Sequence, residues 1–329
     1  MKVLITGATG FVGSWVVHFF LKHHPEADLI CVVRSPQKLR WLKEYTVHLY
    51  PGSLFEASSL EEGLRGVDYV LHIAGVTKAL TAQDYYRGNV LTTRNLLKAI
   101  YRAAPDVKKI VHISSQAAVG PSPTESPIDE TYPPHPITDY GKSKLQSEAV
   151  AREWMQRLPI TILRPPAVFG PRDMDVYEVF KNVSHGINLK VGQGDQCISL
   201  IHVWDLARGI IQAALHPNGI GETYFICNDT PVWWSEMIAL IGRIMQRKVR
   251  TIAIPYPIAY GVATLLEVVA YLRKQPTILN RQKMAEIKQP YWVISNQKIK
   301  QELGFHQQLS LESAIRNTVA WYQTNGYLK

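Results

Sequence analysis

A phenol and a primary amine stand four residues apart in Thr138-Asp139-Tyr140-Gly141-Lys142-Ser143-Lys144. On a helix that spacing puts both side chains on one face. A tyrosine titrates at about pH 10 and is ordinarily a poor proton carrier at neutral pH. A neighbouring ammonium favours the phenolate, so Lys144 is expected to lower the pKa of Tyr140 and fit it for general acid/base work. Such a proton is needed wherever a hydride reaches or leaves a carbon that bears oxygen. The plain alternative is a solvated helix start.

A hydride implies a dinucleotide, and the N-terminal residues offer a place for one. Thr6-Gly7-Ala8-Thr9-Gly10-Phe11-Val12-Gly13 follows the apolar run Val3-Leu4-Ile5. Glycine suits a tight turn under a pyrophosphate, where a Cβ would block the approach of backbone and helix. The helix that opens around Gly10 turns the free N–H groups of its first residues, Phe11 and Val12 among them, toward the phosphates. The spacing is G-x-x-G-x-x-G rather than G-x-G-x-x-G, so its weight comes from its place between strand and helix.

The second strand ends Cys31-Val32-Val33-Arg34-Ser35-Pro36, with no carboxylate. An acid there would accept the ribose hydroxyls of NAD, whereas an arginine accommodates the 2′-phosphate of NADP. Arg34 offers a planar fork and Ser35 a hydroxyl, with Lys38 and Arg40 close behind. The expected cofactor is NADP, with NAD as the alternative.

The surrounding pattern predicts the elements that hold these groups. Apolar runs at 3–5, 29–33, 47–50, 69–73, 110–113 and 160–163 alternate with helical patterns such as 11–23, 91–103 and 142–157. Strands apolar on both sides, alternating with helices, imply a doubly wound parallel sheet of the α/β (Rossmann) class. Beyond Arg164, prolines and glycines break the regularity; a strand is expected at 198–203 and helices at 204–215, 234–245, 257–272 and 311–322. The division expected is a dinucleotide-binding domain over 1–170, completed by about 198–228. Residues 171–197 and 229–329 would form a smaller, mostly helical substrate domain.

With 329 residues, 46% of them hydrophobic and 19% charged, the chain can bury a large core. A net charge of +9 favours anionic partners, yet the cations are scattered and no zinc-finger or RNA-binding spacing occurs, so a nucleic-acid partner is not expected. Cys31, Cys197 and Cys227 fit neither a disulfide framework nor a metal ribbon. No metal is expected, and the compartment expected is the cytoplasm. The segment 251–272 is long and apolar but carries Pro255, Pro257, Gly261 and Glu267, and reads as a buried or half-exposed helix, with peripheral membrane contact as the alternative. The expected partner is a small-molecule substrate.

Taken in order, the motifs resemble the extended short-chain dehydrogenase/reductase family. They are TGATGFVG, His72-Ile73-Ala74-Gly75, HISSQAAVG at 112–120, YGKSK, LRPPAVFGPRD at 163–173, IHVWDLARGI at 201–210 and SNQKIKQELGF at 295–305. The resemblance implies that Tyr140 is the acid/base, that Lys144 also bonds the nicotinamide ribose, and that Ser115 steadies the reacting oxygen. Ser114 is the neighbouring alternative, but alignment on Gly120 favours Ser115. Asn89 matches a supporting asparagine, and Ala74, Gly75, Thr77, Pro165 and Val168 fall where the cofactor passes. A homodimer through the tyrosine-bearing helix is implied as well.

Two departures bear on function. Gly52-Ser53-Leu54 stands where many members carry an adenine-contacting Asp, and Ala167 stands where sugar-nucleotide epimerases carry an asparagine. The branch most resembled holds 3β-hydroxysteroid dehydrogenases and dihydroflavonol reductases. The function expected is an NADP-dependent oxidoreductase interconverting a hydroxyl and a ketone on a small apolar or aromatic substrate. The alternatives are a sugar-nucleotide epimerase or dehydratase with tightly bound NAD, and a non-catalytic dinucleotide sensor. The proline-rich stretch 121–136 joins Ser115 to Tyr140 and is expected to line the substrate pocket, with Ile258–Leu272 as a further wall.

Overall fold

The structure is a computed structural model that describes residues 1–328. Strand β1 (Lys2–Thr6) leads into helix α1 (Phe11–His23), β2 (Asp28–Val33), β3 (His48–Pro51), α2 (Ser58–Leu64) and β4 (Tyr69–His72). Then come α3 (Ala82–Tyr85), a π-helical turn at Tyr86–Leu91, α4 (Thr92–Ala103), β5 (Lys109–Ile113), α5 (Asp139–Trp154) and β6 (Ile160–Arg164). The second half holds β7 (Ala167–Phe169), α6 (Tyr177–Ser184), β8 (Ile187–Val191), β9 (Cys197–Ile198), β10 (Leu200–His202), α7 (Val203–Leu215) and β11 (Thr223–Phe225). It continues with β12 (Val232–Trp233), α8 (Trp234–Ile244), β13 (Arg250–Ile254), α9 (Tyr256–Arg273) and α10 (Arg281–Lys288). The last elements are β14 (Tyr291–Trp292), α11 (Gln297–Leu303) and α12 (Leu311–Thr324).

Seven strands form one sheet in the order β11-β6-β5-β4-β1-β2-β3, every neighbouring pair parallel. Every residue of β5 and β6 is buried, which explains why Ile110, Val111 and Ile113 and Ile160, Ile162 and Leu163 are apolar on both faces of the sheet. Trp15, Phe20, Leu206 and Ile210 pack α1 and α7 on one face, and Leu60, Leu96 and Val150 pack α2, α4 and α5 on the other. Each such side chain contributes roughly 1.5–3 kcal/mol of burial free energy. Chain order reverses at β1, which lies between β2 and β4, and that reversal opens a crevice at the carboxyl ends of the strands.

Phe180, Ile241 and Tyr322 bind α6, α8 and α12 into a second cluster. Helices α9 and α10 share a much smaller one around Ala259, Ala263 and Met284. Helix α9 buries only Ala259, Ala263 and Ala270. Among the described residues no helix is long and apolar enough to cross a membrane.

Two expected elements are revised. Helix α5 begins at Asp139 and not at Lys142, because the Thr138 Oγ accepts a hydrogen bond from the Gly141 N–H at 3.1 Å and caps it. Tyr140 therefore sits in the first turn. The strand expected at 198–203 is two short ones in different sheets: β9 pairs with β12 and β14, β10 with β7.

Candidate active site

The glycine turn lies at the crevice. Gly7 has φ +77°, and a Cβ there would stand 2.6 Å from the Ala74 nitrogen; one on Gly13 would stand 2.2 Å from the Gly7 oxygen. The turn, α1 and the loop after β4 are thus pressed together as a phosphate cradle requires. They open into a cleft of about 2110 Å³. A single small-molecule pocket occupies about 300–1,000 Å³, so this cleft has room for a dinucleotide beside a second molecule.

Gly7, Gly10, Phe11, Val12, Gly13, Arg34, Ala74, Gly75, Thr77, Pro165 and Val168 all line the cleft, as do Asn89, Ser115, Tyr140 and Lys144. Ser35 departs from expectation. Its hydroxyl turns aside to donate to the Gln37 Oε1 at 2.9 Å, and it does not line the cleft.

Close approach of two backbones places Tyr140. A Cβ on Gly141 would lie 2.3 Å from the Ala117 oxygen, so glycine lets α5 press against the turn after Ser115. Ser115 accepts a hydrogen bond from the Ala117 N–H at 3.1 Å and lies close enough to Tyr140 to ease its ionisation. The net effect on the phenol reverses the expectation. Burial pushes Tyr140 up to about 12, helped by Glu286 and Tyr85, and the Ser115 hydroxyl only partly offsets it. The phenol is therefore neutral at pH 7, a proton donor awaiting a base.

Lys144 is buried, and its Nζ donates to the Ile113 oxygen at the end of β5, 2.6 Å away. Burial pushes the amine down to about 8, with Glu148 acting in the opposite sense. Asn89 lies in the π-helical turn, a form frequent at functional sites. Its Oδ1 accepts from the Val76 N–H at 2.7 Å, while its Nδ2 donates to the Val76 oxygen at 3.0 Å and the Ser143 hydroxyl at 2.9 Å. It thereby ties the loop after β4 to α5.

Ser114 is committed elsewhere. Its hydroxyl donates to the buried Glu148 Oε1 at 2.5 Å, and Arg164 grips the same carboxylate at 2.9 and 2.7 Å. His72 and His112 stack at 5.3 Å in the core; burial pushes His72 down to about 3 and His112 well below its ordinary value. Among the described residues no cluster could hold a metal ion.

The stretch 121–136 does not line the cleft. It straps the C-terminal region instead: the Ser122 N–H donates to the Tyr291 oxygen at 3.1 Å and the Ile128 N–H to the Val293 oxygen at 3.2 Å. The wall facing Tyr140 comes from Tyr85, whose ring lies 6.0 Å away, and from Gln282 and Glu286 on α10. Thr264, Val268, Tyr271 and Leu272 supply the expected apolar wall from α9. Sequence reasoning missed Gln282 and Glu286, which lie some 140 residues from Tyr140 in a polar helix with no motif.

Arg172 also reaches the cleft. Its guanidinium lies over Trp15 at 4.3 Å and Trp41 at 5.1 Å, and its Nη2 donates to the Tyr45 hydroxyl at 3.1 Å. Nε and Nη1 are buried with no partner among the described residues.

Comparison with known proteins agrees with this geometry. The NAD dependent epimerase/dehydratase family matches residues 3–227. The chain is 29% identical over 269 residues to the N-acetyl-α-D-glucosaminyl-diphospho-ditrans,octacis-undecaprenol 4-epimerase of Escherichia coli O157:H7, covering 78% of this chain and 76% of that protein. It is 26% identical over 327 residues to the ceramide reductase of Caulobacter vibrioides, covering 99% and 96%. A UDP-glucose 4-epimerase structure from Thermotoga maritima shares the fold at TM-score 0.80 and 21% identity, with 99% of each chain covered. The chain belongs to the NAD dependent epimerase/dehydratase family and is an NAD(P)-dependent enzyme of the extended short-chain dehydrogenase/reductase type.

Proposed function

We propose that the protein is an NADP-dependent oxidoreductase that interconverts a hydroxyl and a ketone on an apolar or aromatic substrate. The observation that carries this reading is the neutral, half-buried Tyr140 facing the same cleft as Ser115, Lys144 and the glycine turn. NADP, held by the turn, Arg34 and the loop after β4, would supply or accept the hydride.

The chain's own residues manage the proton. Tyr140 donates from its hydroxyl to the carbonyl oxygen as negative charge develops there, and its phenolate takes the proton back in the reverse direction. Ser115 holds that oxygen in place and shares its charge. Lys144, which keeps its charge below about pH 8, would favour the phenolate against the burial that opposes it. Asn89 positions both the cofactor loop and α5.

Arg34 and the lack of an acid at the end of β2 support NADP. The α9 wall and the ceramide reductase relative support an apolar substrate body. The test is a panel of apolar and aromatic ketones offered with NADPH. Tyr140→Phe is expected to lower turnover at least about 10²-fold while leaving NADPH affinity unchanged. Comparable turnover in that variant would remove the proton-transfer role.

One observation favours a second reading, epimerisation of a diphosphate-bearing sugar. The two unpartnered donors of Arg172 suit an anion, and one relative is an undecaprenol-diphosphate-sugar epimerase. Ala167 in place of asparagine counts against it.

A further inference from the structure

Among the described residues, eight of the seventeen large apolar side chains left exposed by the fold lie on the 18-residue α9, Leu272 at 74%, Leu265 at 64% and Ile258 at 59% among them. The helix is apolar on two sides. Ala259, Ala263 and Ala270 face inward. Ile258, Val262, Leu265 and Leu272 recur at i, i+4, i+7 and i+14, all exposed, and form a second stripe turned outward. A surface helix ordinarily shows water its polar face; this one shows it an apolar face.

The charges around the stripe have one sign. From 241 to 280 the chain has six cations and a single acid, Glu267. That acid is occupied by Arg281, which donates to its two oxygens at 2.9 and 3.1 Å. Arg247, Lys248 and Arg250 stand exposed at the start of β13, which runs through Pro255 into α9, and Arg273 and Lys274 stand exposed at its far end. None of these five has an acidic partner among the described residues. The edge of α9 beside the stripe is also the wall of the cleft, through Thr264, Val268, Tyr271 and Leu272.

We propose that the outer face of α9 lies on an anionic lipid surface, with the mouth of the cleft opening toward the acyl chains. An apolar stripe on a helix too polar to span a bilayer, with basic residues at both ends, is the pattern of a helix lying in the interface. A second copy of the chain fits worse. Whether two α9 helices met parallel or antiparallel, cations would meet cations at both ends. The inference stands on this surface alone and does not depend on the cofactor or the reaction.

The test is sedimentation of the full chain with sucrose-loaded vesicles of phosphatidylcholine, with and without one quarter phosphatidylglycerol, at physiological salt. The wild type is expected to pellet with the anionic vesicles. Ile258→Glu with Leu265→Glu, two exposed positions that do not line the cleft, should abolish pelleting while leaving the thermal midpoint unchanged. Arg273→Ala with Lys274→Ala should weaken it about 25-fold, roughly five-fold per cation. Failure of the wild type to pellet, or pelleting that neither pair alters, would overturn the proposal. So would a dimer in analytical ultracentrifugation that the glutamate pair dissociates, which would assign the stripe to a second copy.

Discussion

Gln282 grips Asp139 by both ends of its side-chain amide: its Oε1 accepts from the Asp139 N–H at 2.6 Å, and its Nε2 donates to the Asp139 Oδ2 at 2.7 Å. Asp139 precedes Tyr140 and opens α5. Helix α10 is thereby fastened to the turn that carries the acid, and Glu286, one turn further along, helps hold the phenol in its neutral form.

Gln282→Ala removes both bonds and is expected to raise KM for the carbonyl substrate about ten-fold, near 1.4 kcal/mol, without lowering the unfolding free energy by more than about 1 kcal/mol. Gln282→Glu sets a carboxylate against that of Asp139 and should be worse than alanine. Steady-state kinetics of the two variants decide the matter; wild-type KM in both would show that α10 does not depend on this contact.

Lys144 sets a pH window. Burial lowers its amine from the ordinary 10.5 to about 8, so its charge is lost as pH rises through about 8. Turnover supported by Tyr140 should decline over the same range, and a profile flat to pH 9.5 would contradict the ammonium's part.

The same shift makes a stability prediction of opposite sense. Between about pH 8 and 10.5 the unfolded lysine binds more protons than the folded one, so stability rises with pH across that window. Lys144→Met should therefore raise the unfolding free energy at pH 7, and with it the thermal midpoint, by up to about 3 kcal/mol of free energy, while abolishing turnover. A lower midpoint would show that the bond to Ile113 outweighs the desolvation of the ammonium.

Glu148 is the buried anchor beneath the site. Burial opposes its charge, but Arg164, Ser114 and Arg152 outweigh that and hold its carboxyl below the usual range. The stability it contributes is present above its unfolded pKa and lost as pH falls through the lowered folded value. Glu148→Gln would leave Arg164 charged and unpaired in the core, and is expected to cost about 3–5 kcal/mol in urea unfolding. A loss under 1 kcal/mol would mean that water or another group compensates Arg164.

The sheet was legible because strands buried on both faces are mostly apolar, and β5 and β6 are buried at every position, with Lys109, His112, Thr161 and Arg164 as their polar exceptions. The glycine turn and the pairing of Tyr140 with Lys144 were legible because chemistry fixes both residue type and spacing. The rise in Tyr140's pKa was not, since burial is a property of the assembled site: Lys144 spends its bond on Ile113 while Tyr85 and α10 wall the phenol in. The stretch 121–136 misled because nearness in sequence to two site residues says nothing of where a loop packs; its backbone bonds run to 291–295.

The central claim is tested most directly by titrating the purified protein with NADPH and with NADH, following nicotinamide fluorescence after mass spectrometry has checked for retained cofactor. The predicted result is exchangeable binding with NADPH at least about ten-fold tighter, and an Arg34→Asp variant that loses NADPH affinity more than NADH affinity. Retained NAD that does not exchange, or equal losses for both cofactors in Arg34→Asp, would contradict it and shift the reading to the diphosphate-sugar epimerase.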